Sequence, residues 1–105
     1  MKFKNMFSPI QIGPMTVKNR FVVPPMGNNF ANSDGTWSDE SVAYYGERAK
    51  GQFGLITIEA TVVHKGAKGG PKKPCLYDDN SIESLKKITD ACHAEGAKVS
   101  IQLQN

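Results

Sequence analysis

Three short apolar runs, Arg20–Val23, Leu55–Glu59 and Lys98–Leu103, alternate with two stretches of helical periodicity, and this alternation leaves few folds open to the chain. Leu55-Ile56-Thr57-Ile58-Glu59 is continuous enough in apolar residues to suit a buried strand of a parallel sheet. Strands that alternate with helices imply right-handed crossovers and helices packed on the face of such a sheet. The spacing predicts a first helix that starts at Ser38, a capping side chain. Asp39 and Glu40 follow in its first turn, where the helix dipole favours acids; Val42, Tyr45 and Ala49 mark its apolar face, and Lys50-Gly51 its stop. A second helix starts near Asn80 or Ser81, with Glu83 in capping-box position, carries Ile82, Leu85, Ile88 and Cys92 on one face, and runs up to Gly96. Ahead of all this, Pro9–Gly13 and Met15–Asn19 read as a small hairpin about a Gly13-Pro14 turn. The expected order is hairpin, β, α, β, α, β.

A parallel sheet wants both faces covered, which this set of elements does poorly. Residues 1–105 are therefore expected to be the N-terminal segment of a larger α/β domain, truncated here. With 39% hydrophobic and 22% charged residues the composition is that of an ordinary globular domain. No apolar run approaches the roughly 18 residues of a membrane span, and the N-terminus lacks the apolar core of a secretory signal, so a cytoplasmic protein without a membrane partner is expected. Part of the +3 charge falls in Lys65–Lys73, which holds four lysines and no acid. Without aromatic stacking residues this reads as a solvated loop, and no nucleic-acid partner is expected. Cys75 and Cys92 are too far apart for a Cys-x-x-Cys metal site and read as free thiols, so no metal is expected.

Ligands of parallel α/β folds bind at the carboxyl ends of the strands. The segment after Val23 opens Pro24-Pro25-Met26-Gly27-Asn28-Asn29 and runs roughly fifteen residues to the helix, where about two to six suffice for connection alone. It is rigid, apolar and narrow, and Gly27 permits close approach of a flat ring to the backbone. After Ile58, Ala60 is a small residue between Glu59 and Thr61. After Ile101, the Gln102 amide both donates and accepts, and can pair with a heterocycle edge. Each has a plainer reading beside it: Pro-Pro as a strand terminator, Glu59 as a salt-bridged or solvated acid, Gln102 as a partner of loop backbone.

Asn19-Arg20-Phe21-Val22-Val23-Pro24-Pro25-Met26, Asp34-Gly35-Thr36, Tyr44-Tyr45-x-x-Arg48-Ala49-Lys50-Gly51-x-x-Gly54-Leu55-Ile56, His93-Ala94-Glu95-Gly96-Ala97-Lys98 and Gln102-Leu103 together resemble the old yellow enzyme family. The nearest branch is that of clostridial NADH:flavin oxidoreductases and enoate/dienoyl-CoA reductases. The resemblance runs from about Phe7 to Asn105 in order and spacing. It implies the N-terminal part of a (β/α)8 TIM barrel of about 250 residues, with FMN at its mouth taking hydride from NADH or NADPH and passing it to an activated C=C bond. Substrates would be small enones, enoates or enoyl-CoA-like molecules. Carried over by position, Pro25 and Met26, with Pro24 and Gly27, would line one face of the isoalloxazine, Ala60 would touch the flavin through its backbone, and Gln102 would bond the pyrimidine edge. The hairpin would plug the barrel's bottom. Gly27 stands where the family often has Cys or Thr, and Asn105 where it usually has His. The catalytic acid, the substrate-anchoring pair and the phosphate grip are expected beyond residue 105, so this stretch alone is expected to be inactive. The branch also leaves room for a homo-oligomer, and for an iron–sulfur cluster and FAD in a C-terminal part. Two alternatives stand beside this reading: another FMN-binding barrel oxidoreductase of the dihydroorotate-dehydrogenase kind, and a small non-catalytic α/β binding module.

Overall fold

The computed structural model describes residues 2–67 and 70–105. An antiparallel hairpin, β1 (Ile10–Ile12) and β2 (Met15–Val17), precedes β3 (Val22–Val23), α1 (Asp39–Lys50), β4 (Leu55–Val62), α2 (Ile82–Ala94) and β5 (Lys98–Gln104). Strands β3, β4 and β5 lie side by side in that order as a parallel sheet, with Val22 opposite Leu55 and Leu55 opposite Lys98. This is the expected order of elements. Of the lysine-rich segment Lys65–Lys73, Lys68 and Gly69 lie outside the described residues, and Lys65–Ala67 forms a 3-10 turn.

The core lies between the sheet and the helices. Val23, Ile56 and Ile58 of the strands meet Tyr45 and Ala49 of α1 and Ile88 and Cys92 of α2, with Trp37 and Ala97 closing the ends. Burial alone pushes the Cys92 thiol up to about 11, so it stays protonated and behaves as a small hydrophobe. Helix α1 starts as expected: Ser38 is extended and its Oγ accepts from Ser41 N at 3.1 Å. It also ends at Lys50, but the residue that turns the chain in the left-handed region is Gln52, at φ 71°, rather than Gly51.

Helix α2 starts near Ser81 as expected, but its cap differs. Asp78, not Asn80 or Ser81, supplies the capping oxygen; it accepts from Asn80 N at 3.0 Å and opens a 3-10 turn, Asp79–Ser81, that feeds the helix. Ser81 instead donates its hydroxyl to the Cys75 carbonyl at 2.6 Å, and no capping bond from Glu83 is present among the described residues. Ile82, in the first turn of α2, is 57% exposed, and the fully buried hydrophobic residues of the helix are Ile88 and Cys92.

The strands differ in length from the apolar runs. β3 shrinks to two residues because Arg20 N donates instead to Met6 O and Phe21 N to the Asn19 side chain, while Pro24 and Pro25 have no N–H to give. β4 runs on to Val62, past Glu59, because a later segment pairs with its end: Val62 N donates to Pro74 O at 2.9 Å and Leu76 N to Val62 O at 2.7 Å. β5 likewise reaches Gln104, so Gln102 lies within a strand. Against β5 the register of β4 slips, from Ile58 opposite Ile101 to Thr61 opposite Leu103. Glu59 and Ala60 thus face a single residue, Gln102, which is a bulge.

The hairpin covers the amino-terminal ends of the strands. Lys18 Nζ donates to Glu95 O at 2.6 Å and to Gln52 Oε1 at 2.8 Å, and Asn19 Nδ2 to Gln52 O at 2.7 Å. Gly54 lies beneath it with no room for a side chain, since a Cβ there would stand 2.6 Å from Asn19 Oδ1. The carboxyl ends are left open. Among the described residues no helix is long and apolar enough to cross a membrane.

Ser38 both caps α1 and donates its own hydroxyl to Phe30 O, holding the far end of the long turn. Ser38→Ala should lower stability by about 1 kcal/mol, read as a fall in denaturant midpoint at unchanged slope; an unchanged midpoint would show that the cap is redundant.

Candidate functional site

The parallel register sets the three segments singled out by sequence side by side. Val23 pairs with Ile56, so Pro24, Pro25 and Met26 leave the sheet beside Thr57, Ile58 and Glu59, and Gln102 stands across from the Glu59-Ala60 bulge. Pro24, Met26 and Gly27 are exposed, Pro25 and Ala60 are half-buried, and Gln102 is exposed with no hydrogen bond from its side chain among the described residues. The bulge decides the side from which Ala60 is seen. Strict alternation from the buried Ile56 and Ile58 would send Glu59 away from the helices and Ala60 toward them; the extra residue keeps Glu59 on the helix side and leaves Ala60 partly open.

The long turn is a built structure. Asn28 Oδ1 accepts from Phe30 N at 3.0 Å, Asn32 N donates to Thr36 O at 2.9 Å, and Asp34 Oδ1 accepts from Thr36 N at 3.0 Å. Gly35, at φ 89°, passes its carbonyl to Cys75 N at 2.8 Å and has Cys75 Sγ where a Cβ would come within 2.8 Å, so only glycine fits. Trp37 N donates to Ser84 Oγ at 3.1 Å and ties the turn to α2. The turn borders a polar cleft of about 490 Å³ lined by Asn28, Asn29, Asn32, Ser38, Glu40 and Lys72.

Beneath Gly27 and Asn28 lies the least expected group. Glu59 is neither salt-bridged nor solvated: it is 2% exposed, its Oε1 accepts from Tyr45 Oη at 3.1 Å, and its Oε2 from Asn28 N at 3.3 Å. The same tyrosine oxygen accepts from Glu59 N at 3.0 Å, which closes a two-way link between α1 and the bulge. Burial pushes the carboxyl above its ordinary range; the Asn28 and Tyr45 donors and the Lys73 ammonium pull against this without cancelling it. Burial likewise pushes the Tyr45 hydroxyl far up, so it remains a donor. The order of residues alone does not reveal this pair, because spacing marks Tyr45 as core and Glu59 as the end of a strand. The signal available was a lone acid in an apolar run, which must find buried partners if the strand continues.

The geometry suits a flat heteroaromatic ring such as a flavin. An apolar, proline-stiffened edge stands at Pro24 to Met26, open room lies before Gly27, where a Cβ would meet no heavy atom within 4 Å except Lys73 Nζ at 3.9 Å, and an uncommitted amide waits at Gln102. Among the described residues no group of three or more His, Cys, Asp or Glu could hold a metal ion.

Residues 5–105 match the NADH:flavin oxidoreductase / NADH oxidase family. Among solved structures, the chain is similar to an old yellow enzyme from Pichia sp. AKU4542, at 36% identity and TM-score 0.89, covering 96% of this chain and 26% of that one. It is similar to a 2-naphthoyl-CoA reductase in complex with 2-naphthoyl-CoA, at 35% identity and TM-score 0.91, over 95% of this chain and 15% of that one. A third is morphinone reductase in complex with tetrahydroNAD, at 30% identity and TM-score 0.85, over 94% and 26%. The chain thus spans about a quarter or less of each of these three structures. Over that stretch the expected fold class, a hairpin and β-α-β-α-β as part of a TIM barrel, is the one found, with the sheet open at β3 and β5.

Glu59 holds its proton more tightly in the folded chain than in the unfolded one. Its contribution to stability is therefore full below the ordinary glutamate value of about 4.3 and is lost as pH rises through the raised native value. Glu59→Gln, which keeps an acceptor for Tyr45, should flatten the dependence of stability on pH between that range and neutrality. Denaturant midpoints at a series of pH values check this; an unaltered slope in the variant would assign the titration to other groups.

Proposed function

The chain belongs to the NADH:flavin oxidoreductase / NADH oxidase family, and on that footing we propose that it forms part of the FMN site of an oxidoreductase. Bound there, FMN would supply two-electron chemistry, taking hydride from NADH or NADPH and delivering it to an activated C=C bond. What carries the reading is the alignment of three strand ends, each offering what a flat, electron-poor ring with a polar edge requires.

Pro24, Pro25 and Met26 form a stiff apolar wall for one face of the ring, and Gly27 admits it to the backbone. Ala60, small and turned outward by the bulge, allows contact with the strand itself. The Gln102 amide offers a donor and an acceptor to the pyrimidine edge. Glu59 does not reach the reacting atoms in this scheme; through Asn28 N it holds the turn in place. None of these groups moves a proton to substrate, and that role falls to residues outside this stretch. The substrate class is a small conjugated enone, enoate or enoyl thioester. A reductase whose name gives an aryl-CoA thioester and a morphinone reductase seen with a nicotinamide analogue both share the fold of this stretch.

Purified protein carrying this chain should be yellow, and stripped protein should regain FMN on titration. Gln102→Leu leaves the ring's polar edge unpaired and should weaken FMN binding by about 1 to 3 kcal/mol, roughly five- to 150-fold in dissociation constant. Protein that takes up no FMN would overturn the assignment, and an unchanged constant for Gln102→Leu would remove that residue from the site.

A further inference from the structure

Gly27 carries no side chain, and the space that one would enter faces an ammonium group. A Cβ at this position would stand 3.9 Å from Lys73 Nζ and within 4 Å of no other heavy atom. Lys73 is far from Gly27 in sequence and is delivered by the segment that follows it. Pro74 is fully buried, its carbonyl accepts from Val62 N, Cys75 N donates to Gly35 O, and Leu76 N to Val62 O. The bonds of Pro74, Cys75 and Leu76 clamp this strand-like stretch to the end of β4 and to the long turn, so the backbone that carries the half-buried Lys73 is held between them. Neither ion pair among the described residues, Lys50 with Glu47 or Lys86 with Asp90, engages it. The nearby buried acid, Glu59, already has its two oxygens on Tyr45 and Asn28. Lys73 is felt there only as a field that eases its ionisation.

Hydride transfer brings two electrons and one proton to a neutral ring and leaves it with one negative charge. A fixed cation beside the ring lowers the free energy of that charged state and leaves the neutral one little changed, more so where water is partly excluded. We propose that Lys73, reaching into the space before Gly27, is the residue by which this chain favours reduced over oxidised FMN. The proposal rests on the FMN site argued above and adds to it a charge that no residue of the Pro24–Gly27 wall supplies.

A purely structural lysine, one that braces Glu59 and the turn, would affect both redox forms alike. The test is therefore the ratio of affinities. In FMN-loaded protein carrying this chain, the dissociation constant for oxidised FMN and the midpoint potential of the bound cofactor are measured for the parent, Lys73→Met and Lys73→Arg. Lys73→Met should cost reduced FMN about tenfold more in affinity than oxidised FMN, which is a fall of about 30 mV for a two-electron couple. Lys73→Arg, which keeps the charge, should stay within threefold of the parent. Equal weakening of both forms, or no change in potential for Lys73→Met, would overturn the proposal while leaving the FMN site standing. Failure of the parent itself to take up FMN, seen by absorbance before any substitution, would overturn both.

Discussion

The arrangement of this mouth depends on a carboxyl group buried where water cannot reach it. Taking Glu59 out of solvent is costly unless its oxygens are paired, and the partners it has found are a hydroxyl from α1 and a backbone N–H from the turn after β3. The pairing therefore joins strand, helix and turn at one point. Tyr45 uses its oxygen twice, as donor to the carboxyl and as acceptor from Glu59 N, and so also satisfies a backbone group that the bulge removes from the ladder.

Around that point the division of labour between the two ends of the sheet is plain. At the amino-terminal end the hairpin is drawn in by Lys18 and Asn19, and glycine at position 54 permits the close fit. At the carboxyl end the chain is held by backbone bonds through Gly35, Val62, Pro74, Cys75 and Leu76, which brace the rim without filling it. Stability is gathered below and behind, while apolar and polar groups are left exposed in front. That is the distribution expected of α/β folds that bind ligands at strand ends.

Much of this was legible in the residues. Continuous apolar runs and helical spacing place the three parallel strands and both helices, and Ser38 caps α1 as expected, its oxygen accepting from Ser41 N while its proton goes to Phe30 O. Ser81 shows the opposite case: its backbone is already helical, at φ −88° and ψ −8°, its hydroxyl goes to the Cys75 carbonyl, and the capping oxygen is that of Asp78. The full length of β4 depends likewise on distant partners, since its last residues pair with Leu103 and Gln104 of β5 on one side and with Pro74 and Leu76 on the other. Pro24 to Gly27, Ala60 and Gln102 were legible by residue type and by resemblance, but their alignment follows from register. The nearness of Lys73 to Gly27 depends on a loop closing back, and no periodicity announces it.

The bulge at Glu59-Ala60 has a meaning for how this stretch can vary. Side chains alternate along a strand, so the one extra residue acts as a switch of parity: upstream of it the helices see Ile56 and Ile58, and at it they see an acid whose neighbour looks the other way. Loss of a single residue between Ile58 and Thr61 would restore regular pairing with β5, with Thr61 still opposite Leu103, and would leave one residue opposite Gln102, facing away from the helices. The carboxyl would be either removed or turned away from Tyr45, and in both cases the tie between α1 and the strand would be lost. Insertions in the lysine-rich loop beyond Val62 carry no such penalty as long as Pro74 and Leu76 can still close on the strand. Two adjoining parts of one short segment thus stand under opposite evolutionary rules, one intolerant of any change in length and the other nearly indifferent to it.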